Sequence, residues 1–107
     1  MSDCLFCKIV ARTIPATLVY EDDLVVAFDD INPQAPTHTL VIPRKHVTSI
    51  AELEDLDVGL LGRLMLAGNK ISKLKGIADS GYRFVINTGK DGGQSVFHLH
   101  LHVLGGR

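Results

Sequence analysis

The sequence predicts an α+β fold: a five-stranded antiparallel sheet with one long helix and a short N-terminal helix. The chain has 107 residues, of which 46% are hydrophobic, and this length and composition suit one domain with a buried core. Strand-like segments come first, one long helical segment follows, and further strand-like segments end the chain, an order that favours an antiparallel sheet. No repeat and no Ser/Gly/Pro-rich linker divides the sequence. We therefore expect a single domain over residues 1–107.

The first half of the chain supplies the short helix and three strands. A helix is predicted over residues 4–12, and it ends before Ile14 because a residue that precedes proline avoids the helical region. Two strands flank the acidic corner at residues 21–23, as in a hairpin, and a third strand ends at Pro43. The predicted strands cover residues 18–20, 24–28 and 39–42, with a loop at residues 32–36.

The second half supplies the long helix and two more strands. Apolar residues recur there at three- and four-residue spacing, which predicts one apolar helix face. These residues are Leu56, Leu60, Leu61, Leu64, Met65, Ile71 and Leu74. Gly76 is a natural stop for this helix, and the lysines in its last turns favour the negative end of the helix dipole. The two further strands are predicted over residues 82–87 and 97–103.

Charge and hydropathy exclude several classes of protein. The formal net charge of −1 argues against a protein that holds nucleic acid by bulk charge. The longest apolar run, residues 24–28, is far shorter than the ~20 residues that span a membrane. The N-terminus has no basic region followed by an apolar stretch, so we expect a cytoplasmic protein with no membrane or nucleic-acid partner. The two cysteines then indicate thiols or metal ligands rather than a disulfide framework.

Three of the five histidines alternate with apolar residues near the end of the chain. Because side chains alternate between faces in a strand, His98, His100 and His102 are predicted to point one way. The residues predicted to face the core are Phe97, Leu99, Leu101 and Val103. A single metal ion held by all three histidines is disfavoured, because His98 and His102 would lie ~13 Å apart along a strand. A solvated polar face is the simpler explanation for one histidine, but three in alternation favour a functional row.

A glycine-rich segment, residues 88–95, comes directly before the histidine row. Glycines let consecutive backbone N–H groups converge on an anion, and Gln94 and Ser95 add side-chain donors. A flexible hairpin loop would have the same composition. Beside imidazoles, which are nucleophiles near their ordinary pKa of about 6.5, a phosphate cradle is favoured. These parts suit phosphoryl or nucleotidyl transfer through a histidine.

The segment from His98 to Leu104 resembles the motif of the histidine triad superfamily, in which three histidines alternate with apolar residues. Residues 28–38, 41–46 and 92–97 are similar to its histidine triad nucleotide-binding (Hint) branch, and the similarity extends from about residue 5 to residue 107. The resemblance implies an α+β, HIT-like domain that pairs as a homodimer. It also implies hydrolysis of purine nucleoside phosphoramidates, such as adenylated amines, with no organic cofactor.

The resemblance further implies the residues of the site. His100 would be the nucleophile that becomes nucleotidylated, His102 would hold the phosphate, and His38 would support the His100 ring. The other substrate-binding residues that it implies are Asp30 and Ile31 at the nucleoside, Asn87, Gly93, Gln94 and Ser95 at the phosphate, and Phe6, Ile14 and Phe28 at the base. Without the resemblance, Asp30 could simply end a strand, and the three apolar residues are ordinary core residues.

A metal site is suggested by the two cysteines near the N-terminus. The spacing of Cys4 and Cys7 lets both thiolates bind one ion, although a short buried helix with two thiols accounts for it equally well. In relatives that have such a pair, zinc lies between it and two histidines, which correspond to His46 and His98 here. The resemblance therefore implies a structural zinc with four N/S ligands and no open position. A redox pair is disfavoured, because nothing like a thioredoxin βαβ unit surrounds the motif.

Two other functions remain open from the sequence. One is a nucleotide-binding regulatory dimer in which hydrolysis is vestigial. The other is a relative that cleaves dinucleoside polyphosphates or transfers nucleotides to sugar phosphates. An enzyme needs His100 as a nucleophile, whereas a regulatory dimer does not. In all of these functions the ligand or substrate is a purine nucleotide, such as AMP or an adenosine phosphoramidate. We expect a homodimer, because the family resemblance implies one and the wide apolar stripe of the long helix supports it.

Overall fold

Residues 3–106, the part of the chain that this computed structural model describes, contain five strands, two α-helices and two short 3₁₀ helices. The strands are β1 (Leu18–Glu21), β2 (Val25–Asp29), β3 (Thr37–Pro43), β4 (Tyr82–Val85) and β5 (Leu101–Gly105). The helices are α1 (Leu5–Val10) and α2 (Val58–Leu74). Met1, Ser2 and Arg107, which the predicted domain includes, lie outside the described residues. The predicted fold class, with one long and one short helix, is confirmed.

The strands form one sheet in the order β1-β2-β3-β5-β4, and all neighbours are antiparallel. β3 lies at the centre, where Leu40 is opposite Phe28 of β2 and opposite His102 of β5. Residues that lie opposite each other in a sheet share a face. The register therefore places the side chain of His102 on the same face as Phe28.

Both faces of the sheet are covered. The core between the sheet and α2 contains Val25, Ala27, Val41, Val47, Leu64, Ala67, Ile71, Ile77, Leu99, Leu101 and Val103. The core under α1 contains Phe6, Ile9, Val26, Phe28, Leu40 and Ile42. The alternation along β2 and β3 explains why neighbouring residues belong to different cores. Within residues 3–106, no helix has the length and apolar character needed to cross a bilayer.

The apolar face predicted for the long helix is correct for only some of its residues. Leu64 and Ile71 are fully buried, but Met65 and Leu74 are exposed. Position 65 lies about 100° around the helix from position 64, which turns its side chain away from the core. Leu56 lies in a 3₁₀ turn before α2 and is 83% exposed. The predicted stop is confirmed, since Gly76 follows the helix with a φ of 75°.

β5 begins later than the strand predicted over residues 97–103. β3 ends at Pro43, and the pair of Val41 and Leu101 is the last in the β3–β5 ladder. Beyond this pair, the N–H of Leu99 donates to the carbonyl of Val47 in the loop after β3, over 2.7 Å. Leu99 is therefore held by a loop and not by a strand.

The late start of β5 changes one side chain of the predicted core face. Phe97 is 51% exposed, so the prediction that it lies in the core is wrong. Phe97 precedes both Leu99, which is bonded to the loop after β3, and Leu101, where the β3–β5 ladder begins. The other predicted core residues of this segment are buried, namely Leu99, Leu101 and Val103. β4 likewise ends at Val85, two residues earlier than predicted.

Candidate active site

The three histidines of the row lie side by side under α1. Phe6 packs edge-on against His98 and His100, with ring centroids 5.9 and 5.2 Å apart, and the centroids of His100 and His102 are 4.9 Å apart. The prediction that all three imidazoles share one face is confirmed. That face is covered, because His98 and His100 are 0% and 4% exposed. The row is thus part of a packed site and not a solvated polar strip.

His100 has one ring nitrogen committed to the backbone. Nδ1 lies 2.8 Å from the carbonyl oxygen of His98, a group that only accepts, so Nδ1 carries the proton and donates. The lone pair of the neutral ring is then on Nε2. Burial lowers the pKa of His100 below 6.5, against the opposing effects of this hydrogen bond and of the Asp30 charge. A neutral imidazole with its lone pair on Nε2 is a competent nucleophile at neutral pH.

His102 is oriented by a chain of hydrogen bonds that begins at a backbone N–H. The N–H of Gln34 donates to Nδ1 of His38 over 3.0 Å, so the proton of the His38 ring is on Nε2. His38 Nε2 then donates to Nδ1 of His102 over 2.9 Å, which leaves the proton of His102 on Nε2. Burial, together with His100 and His38, lowers the pKa of His102 to about 4. His102 is therefore a neutral donor at pH 7. The resemblance implied that His38 supports the His100 ring, and in the structure the hydrogen bond of His38 is made to His102.

Asp30, His38 and His102 lie close enough together to hold a metal ion. Their hydrogen bonds favour another interpretation. A metal on Nε2 of His38 would require the ring proton on Nδ1, where the N–H of Gln34 already donates. Asp30 lies 3.5 Å from His38 Nε2 and accepts the N–H of Asn32 over 2.8 Å. We interpret the trio as a hydrogen-bonded support for His102.

A cavity of about 360 Å³ opens beside His100 and His102. Most of the predicted substrate-binding residues line it, namely Phe6, Ile14, Phe28, Asp30, Ile31, Ser95, His100 and His102. Apolar side chains form most of the wall, and the polar groups are few. Such a cleft is typical of a small-molecule site. The predicted residues Asn87, Gly93 and Gln94 do not line it.

The cavity wall also contains residues that were not predicted from the sequence. They are Leu5, Ile9, Pro15, Ala16, Asp29, Asn32, Leu40 and Val96. Helical spacing could have indicated Ile9, which is three residues after Phe6, and alternation could have indicated Val96, two residues before His98. Leu40 carries no local signal, because only the β2–β3 register places it at the cavity.

The glycine-rich loop is closed by hydrogen bonds of its own. The N–H of Gly93 donates to the carbonyl of Lys90, and the N–H of Gln94 donates to the carbonyl of Gly89, both over 3.0 Å. We expected these two N–H groups to converge on a phosphate. In the structure the carbonyls of the loop occupy them instead, so neither is available to an anion.

The side chain of Asn87 is hydrogen-bonded within the glycine-rich loop, whereas Ser95 faces the cavity. Asn87 Nδ2 donates to the carbonyl of Gly92 over 2.8 Å, so this side chain braces the loop. Ser95 lines the cavity, and it makes no hydrogen bond within residues 3–106. Of the predicted triplet Gly93-Gln94-Ser95, only Ser95 offers its donors at the cavity wall.

A second cluster joins α1 to the histidine row. The ligand atoms of Cys4, Cys7, His46 and His98 all lie within 4.8 Å of one another. His98 Nδ1 lies 3.3 Å from Cys4 Sγ and 3.6 Å from Cys7 Sγ. Cys7 Sγ also lies 3.3 Å from His46 Nδ1. Nitrogen and sulfur ligands of a tetrahedral zinc lie about 3.6 Å apart, given the usual Zn–S and Zn–N bond lengths, so the cluster has the spacing of a zinc site.

His98 is oriented as a metal ligand would be. Its Nε2 donates to the carbonyl of Pro43 over 2.9 Å, so the lone pair is on Nδ1, the atom that lies beside both sulfur atoms. An outer hydrogen bond of this kind is the usual way in which a metal-ligating histidine is fixed. Burial lowers the pKa of His98, which keeps the ring neutral. The four predicted residues are thus brought together in a form that fits the metal.

The sequence is similar to known proteins over nearly its whole length. The HIT domain family matches residues 11–107. The protein HitA of Neisseria gonorrhoeae is 51% identical over 105 residues, which cover 98% of this chain and 97% of that protein. A purine nucleoside phosphoramidase of Escherichia coli strain K12 is 47% identical over 105 residues, which cover 98% of this chain and 88% of that protein.

Solved structures agree with the fold. A HIT family hydrolase from Legionella pneumophila matches with a TM-score of 0.96 and 50% identity, covering 98% of this chain and 94% of that chain. A histidine triad protein from Clostridium difficile matches with a TM-score of 0.96 and 48% identity, covering 100% of this chain and 93% of that chain. The chain therefore belongs to the HIT domain family.

Proposed function

We propose that this protein is a purine nucleoside phosphoramidase, which hydrolyses the P–N bond of adenosine 5′-phosphoramidates through a nucleotidyl intermediate on His100. The observation that carries the proposal is His100 in the cavity wall, with its Nδ1 proton held by a carbonyl and its lone pair on Nε2. Similarity to a HIT family hydrolase and to a purine nucleoside phosphoramidase supports the reaction. At the level of reaction class, the protein is a nucleotide hydrolase of the histidine triad type.

The nucleoside occupies the apolar part of the cavity. Phe6, Ile14 and Phe28 surround the purine base, which buries apolar surface on both partners. The carboxylate of Asp30 accepts hydrogen bonds from the ribose hydroxyls, and Ile31 lies beside the sugar at the exposed rim. The phosphate then lies next to His100, His102 and Ser95.

The reaction has two steps. In the first, Nε2 of His100 attacks phosphorus, the P–N bond to the amine breaks, and the amine leaves with a proton from solvent. The Nε2–H of His102 and the hydroxyl of Ser95 donate to phosphate oxygens. In the second step water attacks phosphorus, the bond to His100 breaks, and the proton of the water passes to solvent. A nucleoside monophosphate leaves and neutral His100 is restored.

Turnover of a fluorogenic adenosine phosphoramidate tests this proposal. Wild-type protein should hydrolyse it, whereas His100→Ala should bind AMP without turnover. Quenched wild-type protein should carry a nucleotidyl adduct on the peptide that contains residues 98–102. Equal turnover by His100→Ala, or a single inversion at a chiral phosphorus, would contradict the intermediate. AMP binding with no turnover by either protein would favour the regulatory dimer, and a preference for dinucleoside polyphosphates would favour the other hydrolase.

We also propose that Cys4, Cys7, His46 and His98 hold a structural zinc ion. The spacing of the four ligand atoms and the orientation of His98 support this. When bound, zinc would have four protein ligands and would supply no open position to a substrate. The cluster belongs to the start of α1 itself, because Cys4 is the N-cap residue and its Sγ accepts the N–H of Cys7 over 3.3 Å.

A homodimer is the third part of the proposal. β4 is at an edge of the sheet, and Tyr82 of this strand is partly exposed beside α2, where its hydroxyl donates to Asn69 over 2.8 Å. Met65, one turn before Asn69, exposes apolar surface on the same side of the helix. Pairing of this edge with a second copy would cover that surface. A monomeric mass in light scattering at micromolar concentration would contradict it.

A further inference from the structure

We infer that Gln94 is a positioning residue, which closes the glycine-rich loop and thereby fixes Ser95 at the cavity wall. This role differs from the one that the family resemblance implies, in which Gln94 itself holds the phosphate. The inference rests on the proposed function in one respect: the position of Ser95 matters when a phosphate binds beside it.

The side-chain amide of Gln94 has no donor left for a ligand. Gln94 is 7% exposed, and its Oε1 accepts the N–H of Gly89 over 2.9 Å. Its Nε2 donates to the carbonyl of Thr48 over 2.7 Å and to the carbonyl of Val96 over 3.1 Å. An amide nitrogen has two protons, so both are used. The reverse orientation of the amide would place Nε2 against the N–H of Gly89, and only one orientation therefore suits all three partners.

These hydrogen bonds join three separate stretches of backbone. Gly89 lies near the start of the loop, Val96 directly follows the loop, and Thr48 lies in the segment that follows β3. The backbone N–H of Gln94 adds a return hydrogen bond to the carbonyl of Gly89. Ser95 lies between two residues that these bonds hold, so its backbone cannot move without breaking them.

The loop is also too tight to rearrange around another side chain. A Cβ atom on Gly92 would lie 2.2 Å from the carbonyl oxygen of Thr88, which only glycine avoids. Gly93 has a φ of 79°, a conformation that other residues rarely adopt. The amide of Gln94 is thus enclosed by a backbone whose conformation is already constrained. Ser95, which has a hydroxyl and a backbone N–H to donate, faces the cavity.

Loss of the amide should therefore affect phosphate binding and leave nucleoside binding intact. Without it, the N–H of Gly89 and the carbonyls of Thr48 and Val96 lose their partners and must bind water, which loosens the loop. The nucleoside part of the cavity is made by α1, β2 and the segments that follow them, and none of the residues assigned to the base or the sugar takes part in these bonds. The two parts of a nucleotide can be tested separately with AMP and adenosine.

Titration calorimetry with AMP and adenosine on four proteins tests the inference: wild type, Gln94→Met, Ser95→Ala and the double variant. Gln94→Met keeps the length of the side chain and removes its hydrogen bonds. Each single variant should weaken AMP binding roughly tenfold, the effect of one lost hydrogen bond to a charged group. Adenosine binding should stay within about twofold, and the double variant should bind AMP no more weakly than Ser95→Ala, because Gln94 acts through Ser95.

Several results would overturn the inference. An equal loss of adenosine affinity would mean general damage, and additive losses of AMP affinity would mean that Gln94 contacts the phosphate independently. Unchanged AMP binding by Gln94→Met, or wild-type protein that binds AMP no better than adenosine, would also overturn it. If Gln94→Met does not fold, Gln94→Ala gives the same test, because it adds no charge, removes the same three side-chain hydrogen bonds and leaves room for water at their partners.

Hydrogen exchange at the Gly89 amide supplies a readout of the loop itself. Exchange should be fast in Gln94→Met and slower in Gln94→Glu, which retains that acceptor. The same protection in wild type and Gln94→Met would contradict the positioning role. Wild-type protein that binds AMP but hydrolyses no phosphoramidate would contradict the proposed function and leave the role of Gln94 standing.

Discussion

Nε2 of His38 lies 2.9 Å from Nδ1 of His102, although the two residues are 64 positions apart in the sequence. The contact follows from the β3–β5 register, in which Leu40 lies opposite His102 and His38 is two residues away on the same face. It links the orientation of His102 to the backbone N–H of Gln34. Because a carbonyl likewise fixes the proton of His100, both rings are prepared for a phosphate before it binds.

Replacing His38 with phenylalanine should disturb the proton position on His102. Phenylalanine keeps a ring but cannot donate to Nδ1, so the tautomer with the proton on Nε2 loses its preference. We expect kcat/KM to fall roughly ten- to a hundredfold, because the hydrogen bond from His102 Nε2 to the charged phosphate is weakened. Nitrogen-15 NMR of the histidine rings measures the tautomer directly.

The matched control is His38→Gln, whose side-chain amide can still donate to Nδ1 of His102. It should retain the tautomer and more of the activity than His38→Phe. An unchanged His102 tautomer in the phenylalanine variant would show that the hydrogen bond does not set the proton position.

The depressed pKa of His102 predicts how stability depends on pH. The folded ring has a pKa of about 4 against 6.5 for the unfolded chain, so the unfolded state binds more protons between these values. The free energy of unfolding should be unaffected by this group above pH 6.5 and should fall as the pH drops from 6.5 to 4. The loss from this one residue should be about 2 to 3 kcal/mol.

Urea unfolding at several pH values measures this effect. The variant His102→Asn keeps an acceptor for His38 and removes the titrating ring, so its stability should fall less steeply between pH 6.5 and pH 4. The buried rings of His98 and His100 have lowered pKa values and are present in both proteins, so they cancel in the comparison. Parallel curves for the two proteins would contradict the prediction.

A close approach of α2 to β4 predicts an unusual response to alanine. A Cβ atom on Gly68 would lie 2.7 Å from Cζ and 2.9 Å from Cε1 of the Phe84 ring. Gly68→Ala should therefore destabilise the fold by about 1 to 2 kcal/mol, because overpacking outweighs the gain in helix propensity. Thermal unfolding measures the change.

Gly59, also in α2, is the matched control, because a Cβ atom there would have no neighbour within 4 Å. Gly59→Ala should leave stability equal or slightly raised. The double variant Gly68→Ala, Phe84→Leu should recover part of the loss if the phenyl ring is its cause. A stabilising effect of Gly68→Ala alone would mean that Phe84 moves aside without cost.

The sequence predicted the fold class and the histidine face, because both depend on local periodicity. The spacing of Leu64 and Ile71 and the alternation of the histidines are properties of neighbouring residues. The cover over the histidine face was not predictable in the same way. Alternating polar and apolar residues indicate that one face of a strand is exposed to solvent. It is the packing of α1 that places Phe6 over His98 and His100.

Local patterns also failed where long-range contacts decide the outcome. The alternation runs through Phe97, but the ladder stops where β3 ends at Pro43, so Phe97 is exposed. The composition of the glycine-rich segment indicated N–H groups that converge on an anion. In the folded loop its own carbonyls and Gln94 take those N–H groups, and the sequence alone does not distinguish the two outcomes.

Removal of one cysteine tests the zinc proposal. Protein purified without chelator should contain about one zinc per chain, and Cys4→Ser should lower both the zinc content and the melting temperature. The bound ion stabilises the folded state only, so its loss lowers stability. Serine is itself a good N-cap, so the start of α1 keeps its hydrogen-bond acceptor and the change reports on the ion. Elemental analysis and thermal unfolding are the two measurements.

The control is Ala11→Ser, an exposed position just after α1, which should change neither zinc content nor melting temperature. Wild-type protein treated with chelator should melt at the lower temperature of Cys4→Ser, because both lack the link between α1 and the histidine row. AMP binding should persist in the metal-free protein, since His100 and Ser95 lie outside the cluster. Metal-free wild-type protein with an unchanged melting temperature would leave Cys4 and Cys7 as packed thiols of the short helix.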